Sequence, residues 1–157
     1  MIHVITKENY LDLLKKINET DGTAFKLETN NRRGHFGDCF ISMVSEDGTD
    51  YLQGVAAAEI TRTAKGLVIN IDNVYVDKMC VDTDFGEVLV ENLINNCKNE
   101  AVNMFDGDNE DIYAAMAIAN SDNVAYFTAE RNGFDVTSSG RKLASGKTIM
   151  IRVSKEL

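Results

Sequence analysis

The sequence contains no proline and no tryptophan, and its three cysteines, Cys39, Cys80 and Cys97, include no Cys-x-x-Cys pair. Average proline use of ~5% would put about eight in a chain of this length, so turns here must be made by Gly, Asn and Asp. An odd number of cysteines without ligand spacing argues against a disulfide framework and against a zinc ribbon. No apolar run approaches the ~18 residues that a membrane span requires. The opening Met1-Ile2-His3-Val4-Ile5-Thr6-Lys7 lacks a signal peptide's basic-then-apolar order. A cytoplasmic protein with no membrane partner is expected.

Positive charge is scarce in one region. Between Ile71 and Ile112 stand Asp72, Asp77, Asp82, Asp84, Glu87, Glu91, Glu100, Asp106, Asp108, Glu110 and Asp111, against Lys78 and Lys98 alone. That stretch carries the whole net charge of −9. A polyanion binder shows the opposite sign, so nucleic acid is not the expected partner. Two readings of the acids stay open: a solvated face that keeps the chain soluble, and a patch presented to a basic protein partner.

What is present is an ordinary globular composition, 44% hydrophobic and 26% charged over 157 residues, enough for one domain spanning 1–157. Ile2 to Ile5 reads as a strand. Thr6 is a candidate N-cap for a helix from Lys7 to about Glu19, with Leu11, Leu14 and Ile17 on one face and Leu13 beside them. Ala24 to Glu28 reads as either a strand or part of a second helix. Cys39 to Val44, Tyr51 to Ile60 and Leu67 to Val76 read as an antiparallel meander. In the last of these, Leu67, Ile69 and Ile71 are apolar at odd positions, whereas Val74 and Val76 are apolar at even ones. A regular strand would put the two halves on opposite faces. One extra residue near Asp72-Asn73 restores a common face, so a β-bulge is predicted there. A helix follows from about Asp84 to Met104, with Val90, Leu93, Ile94, Cys97 and Ala101 as its apolar stripe. Ile112 to Ala117 is a strand, Asp122 to Asn132 a helix, and Phe134 to Thr137 and Lys147 to Val153 the last strands.

This order, with a bulged central strand feeding a helix, resembles the GCN5-related N-acetyltransferase (GNAT) fold. Val74-Tyr75-Val76-Asp77 followed by Gly86-Glu87-Val88-Leu89-Val90-Glu91-Asn92-Leu93 is similar to the family's strand, pyrophosphate loop and helix. Asn123-Val124-Ala125-Tyr126-Phe127 through Arg131-Asn132-Gly133-Phe134 is similar to its late helix and Gly-Phe ending. The resemblance implies a mixed α/β (α+β) single domain with a largely antiparallel sheet. It also implies that backbone groups around Val74 and Val76 hold the pantetheine arm of acetyl-CoA. The next loop, R/Q-x-x-G-x-G/A in the family, would hold the pyrophosphate on main-chain N–H groups at a helix N-terminus.

Here that loop reads Val81-Asp82-Thr83-Asp84-Phe85-Gly86. Only the last glycine matches. Valine replaces the Arg or Gln, and Asp84 replaces the first glycine. Carboxylates at a helix start satisfy the donors and dipole that phosphate would use, and they repel it. At ~4 Å and an effective dielectric near 20, one charge pair is worth about 4 kcal/mol before screening. The family's general acid, a tyrosine on the late helix, aligns with Ala129; Tyr126 lies three residues earlier. Asp72 at the bulge and Glu59 on the preceding strand are the candidate general bases.

The expectation is therefore a non-catalytic GNAT-like binding or assembly module without a cofactor, meeting a protein partner at the acidic 71–112 region or pairing as a homodimer. The alternative is a divergent N-acetyltransferase that binds acetyl-CoA through Val74, Val76 and the 81–86 loop. It would use Asp72 or Glu59 as base and Tyr126 or water as acid. No metal is expected. The Asp106–Asp111 loop lacks the sixth-position Gly and twelfth-position Glu of a calcium loop. His35, Asp38 and Cys39 read as strand entry, where residues four apart lie ~13 Å apart. Arg32, Arg33 and His35 read as a solvated basic turn. Cys80 reads as a thiol packed under the loop, with acidic neighbours that reduce its reactivity.

Overall fold

A computed structural model describes residues 1–29, 31–64, 66–80, 84–104, 112–119, 135–136 and 147–153, with backbone alone for 101–104, 116–119, 135–136 and 147–153. The expected late helix at 122–132, with Tyr126 and Ala129, and the expected loop at 106–111 lie outside the described residues, as do Val81, Asp82 and Thr83. Among the described residues no helix is long and apolar enough to cross a membrane.

The elements in chain order are β1 (Ile2–Val4), α1 (Lys7–Asp21), β2 (His35–Val44), β3 (Leu52–Thr63), β4 (Gly66–Val76), a single 3-10 turn (Lys78–Cys80), α2 (Phe85–Met104), β5 (Ile112–Ala119), β6 (Asp135–Val136) and β7 (Lys147–Val153). They form one seven-stranded sheet in the order β1-β2-β3-β4-β5-β7-β6. Every pairing is antiparallel except β4 with β5, which is parallel because α2 carries the chain across the sheet between them.

Helix α1 begins where Thr6 Oγ1 accepts from Asn9 N at 3.1 Å, and ends at Gly22, whose φ of 68° closes the helix with a hydrogen bond from its N–H to Asn18 O. Thr6→Ala should cost about 1 kcal/mol, the usual worth of such a cap, read from the urea midpoint. The buried stripe of α1 is Tyr10, Leu14 and Ile17, with Leu11 and Leu13 half-buried at its sides. Tyr10 joins the stripe because its ring stacks on Phe40 at 4.8 Å and its hydroxyl accepts from Asn73 Nδ2 at 2.6 Å. Residues 23–29 form no regular element, which corrects the expected strand or second helix at Ala24–Glu28. Their backbone is tied instead by Asn18, which accepts from Phe25 N at 3.0 Å and donates to Phe25 O at 2.9 Å.

The sheet has two unlike faces. Cys39, Ile41, Met43, Ala56, Ala58, Ile60, Leu67, Ile69 and Ile71 pack against Leu89, Val90, Leu93, Ile94 and Cys97 of α2, with Val74 and Val76 on the same side. The other face is split. Phe40, Val55 and Ala57 lie under α1, whereas Asp38, Glu59, Thr61 and Asn70 extend the face with polar groups. The predicted bulge is present: Ala57 pairs with Asn73 and Ala58 with Ile71, leaving Asp72 as the extra residue. That one residue keeps Val74 and Val76 on the α2 face.

Candidate functional site

Two features meet at Asp72. The first is an opening in the sheet. β4 pairs with β5 from Leu67↔Ile112 to Ile71↔Met116 and no further, while its pairing with β3 runs on to Val76↔Gly54. β5 meanwhile continues along β7 to Ala119↔Lys147. Beyond the bulge, then, Asn73 to Val76 have a sheet neighbour on β3 only, among the described residues. Residues 72–76 are all half-buried.

The second feature is a knot of charged groups on the polar half of the α1 face. Glu59, only 1% exposed, projects from β3. One of its oxygens accepts from Arg32 Nη1 at 2.7 Å; the other accepts from the Arg32 backbone N at 2.9 Å and meets His35 Nδ1 at 2.5 Å. The second guanidinium nitrogen of Arg32 donates to Asp72 Oδ1 at 2.6 Å. A single arginine thus bridges both candidate general bases. Burial raises the pKa of Glu59, but the hydrogen bonds from Arg32 and His35 outweigh it and hold the carboxyl below its ordinary range. A carboxylate so held is a poor proton acceptor.

Arg32 reaches this position because the chain turns there. His35 N donates to Arg32 O at 3.0 Å, and Arg62 N of β3 donates to Gly34 O at 2.8 Å. Gly34 has φ +81°, and a Cβ on it would stand 2.4 Å from Arg62 O. Arg32, Arg33 and His35 are all exposed, as expected of a solvated turn, and Arg32 and His35 are in addition anchored to Glu59. Cys39 is buried on the α2 face and Asp38 and His35 on the other, so the three form no common cluster.

At the far end of β4, Asp77 is buried and organises the exit from the strand. It accepts from Tyr51 Oη at 2.8 Å, Met79 N at 3.0 Å and Tyr75 Oη at 3.3 Å, and Tyr75 also donates to Asp21 of α1. Burial opposes its ionisation, but these donors and Lys78 hold it below the ordinary carboxylate range. Cys80 is buried beside it; burial and Asp77 push its thiol up, which lowers its thiolate character.

Of the expected pyrophosphate loop, Asp84, Phe85 and Gly86 are described. Asp84 O accepts from Val88 N at 3.0 Å, which makes Asp84 the residue that opens α2, and it is exposed; Phe85 is half-buried and Gly86 buried. A carboxylate therefore stands where a helix N-terminus would offer its dipole to phosphate. Of the acids between 71 and 112, Asp72 and Asp77 are spent on internal partners. In the sequence Arg32, His35 and Asp38 read as a solvated turn and a strand entry, and Asp77 as one acid of the 71–112 region, so none of the four is placed in the site there. Asp77 had a local signal, an Asp two residues before a turn amide that it caps.

Solved structures that superimpose on nearly the whole chain settle the fold. A GNAT-family acetyltransferase from Staphylococcus aureus superimposes with a TM-score of 0.62 at 17% identity, over 98% of this chain and 99% of its own. The chain has the GNAT fold. The GNAT-fold ribosomal-protein-S18-alanine N-acetyltransferase from Escherichia coli matches with a TM-score of 0.61 at 14% identity, over 100% and 95% of the two chains. NAA60 from Arabidopsis thaliana, solved with acetyl-CoA, matches at 0.60 and 15% identity, over 99% of both. No protein-family model matches the sequence, and no curated protein matches it significantly. Against acetyl-CoA, the GNAT fold of this chain fits unevenly. The one-sided stretch of β4 suits the pantetheine arm, whereas Asp84 at the start of α2 does not suit the pyrophosphate.

Proposed function

We propose that this GNAT-fold chain is a non-catalytic binding module of the cytoplasm that carries no acetyl-CoA. The observation that supports this most is Arg32: it occupies both Glu59 and Asp72, so neither candidate base faces a substrate amine unencumbered. The carboxylate of Asp84 at the head of α2 points the same way. The partner is a protein with a basic surface. It would meet the exposed acids of 71–112, Asp84 and Glu100 among them. A second copy of the chain is the other candidate partner.

One observation favours the alternative of a divergent acetyl-CoA-dependent N-acetyltransferase. β4 parts from β5 beyond the bulge, which leaves main chain around Val74 and Val76 for a pantetheine arm. Direct transfer from the thioester to an amine needs no covalent intermediate, so positioning alone could supply much of the rate. Asp72 or Glu59 would then have to leave Arg32 to take the proton.

Titration calorimetry of acetyl-CoA and of CoA at low salt separates the two. The natural chain should give no heat of binding, and Asp82→Gly/Asp84→Gly should gain it. Micromolar binding to the natural chain would overturn the proposal and select the enzyme.

A further inference from the structure

Strand β2 contains an irregularity that brings two potential metal ligands together. His35 pairs with Thr61 and Gly37 with Ile60, so two steps along β2 match one along β3 and Phe36 is the extra residue. In a regular strand residues three apart lie on opposite faces. The extra residue reverses that parity. Phe36 packs toward the α2 core, and His35 returns to the face that holds Asp38 and, directly opposite Asp38, Glu59.

The geometry around the imidazole is asymmetric. Nδ1 meets the buried Glu59 carboxylate at Oε2, 2.5 Å away, a contact that the neutral ring makes as its Nδ1–H tautomer. Nε2 then presents a lone pair. It stands 3.6 Å from Asp38 Oδ2, too far for a hydrogen bond. That distance is close to the edge, about 3.4 Å, between two ligands that share a tetrahedral ion through bonds of roughly 2.0–2.2 Å. One ligand atom from each of His35, Asp38 and Glu59 falls within 4.8 Å of the others. The His35 and Asp38 side chains are 33% and 28% exposed, open to an ion from solvent, while Glu59 is sealed behind them. A buried carboxylate fixing the far nitrogen of a histidine is the arrangement that orients metal-binding imidazoles. Three carboxylates, Asp38, Glu59 and Asp72, face the cations Arg32 and Lys7 here, so the cluster keeps a net negative charge when the imidazole is neutral.

We infer that His35 Nε2 and Asp38 Oδ2 form a binding site for a borderline divalent ion of the zinc class. Water completes the tetrahedron, and Glu59 acts as a positioning residue on Nδ1. Imidazole nitrogen with carboxylate oxygen suits zinc better than calcium or magnesium, which take oxygen alone. The site is independent of acetyl-CoA, so its fate does not follow that of the proposed function.

The test is zinc titrated into the chelator-stripped full chain, followed by calorimetry and by thermal melting. One zinc per chain should bind and raise Tm, since an ion that binds only the folded state stabilises it. Asp38→Asn should lower zinc affinity at least tenfold, and His35→Ala should abolish binding. Glu59→Gln should cost about 10–100-fold through loss of orientation. Asp38→Asn leaves the Arg32 bridge intact, and its melting curve without zinc reports that it has folded. Cobalt should give the visible absorption of a tetrahedral site, lost in His35→Ala. Zinc binding unaltered by both His35→Ala and Asp38→Asn would place the ion on the cysteines or the other acids and overturn the inference, as would no binding up to millimolar zinc.

Discussion

Arg32→Met is expected to lower folding stability at pH 7 by about 3 kcal/mol, measured by urea unfolding. The lower end of the 3–5 kcal/mol range for stranding a buried charge applies, because Arg32 is 40% exposed and water still reaches its head. The substitution keeps the length of the side chain but leaves Glu59, 1% exposed, with His35 and one backbone amide as partners. Adding Glu59→Gln should return much of the loss, since an amide in place of a stranded carboxylate removes the charge that needed Arg32. The pH dependence has a definite sign. The pKa of Glu59 is depressed in the folded chain, so its contribution is present above the unfolded carboxylate range, near 4.3, and fades as pH falls through the folded value. In Arg32→Met burial is no longer outweighed, and Glu59 takes up its proton at higher pH. The gap between the natural chain and the variant should therefore shrink on acidification. Asp38, whose carboxyl burial holds above its ordinary range, keeps that burial in both chains and largely cancels from the difference. A gap that stayed constant from pH 7 to pH 4 would mean that Arg32 acts through packing of its stem and not through its charge.

The same residues show where a sequence can be read and where it cannot. The bulge at Asp72 was legible because one face of β4 is buried against α2. Burial fixes side-chain parity, and the odd-to-even change between Ile71 and Val74 has one simple remedy. The two helices were legible for a similar reason: Leu14 and Ile17, and Leu93, Ile94 and Cys97, recur at helical spacing and are buried. The site was legible only in part. Asp72 and Glu59 were both named as candidate bases, but their common partner lies 40 and 27 residues away, and no periodicity links positions so far apart. The irregularity at Phe36 was hidden because it falls at the start of β2, where too few apolar residues precede it to reveal a parity conflict. The segment at 24–28 looked regular by composition, yet the polar bonds of Asn18 to Phe25 take the place of a ladder. Val81, Asp82, Thr83 and Tyr126 lie outside the described residues, so the departures from the GNAT pattern at those positions rest on the sequence alone.

Gly34→Ala should cost about 3 kcal/mol or more in urea unfolding, whereas Gly48→Ala should cost about 1 kcal/mol, although both glycines have positive φ. The torsional penalty is similar, since φ is +81° at Gly34 and +84° at Gly48. The surroundings differ. A Cβ at Gly48 meets nothing within 4 Å, but one at Gly34 would stand 2.4 Å from the backbone oxygen of Arg62. Arg62 stands near the end of β3, but its backbone is paired with Leu67 of β4 and cannot rotate aside as a side chain would, so β3 or the turn must move. The hydrogen bond from Arg62 N to Gly34 O is the contact that would lengthen. Displacing Gly34 also displaces its neighbours in the turn, Arg32 and His35, the two residues that neutralise and orient Glu59. Gly34→Ala should consequently weaken zinc binding, while Gly48→Ala, in the exposed loop between β2 and β3, leaves it unchanged. Equal losses in the two variants would show that the torsion alone matters and that the turn carrying Arg32 yields freely. Such a turn could release Glu59 and Asp72 to a substrate amine, and the enzyme reading would then gain the free base that the folded chain withholds.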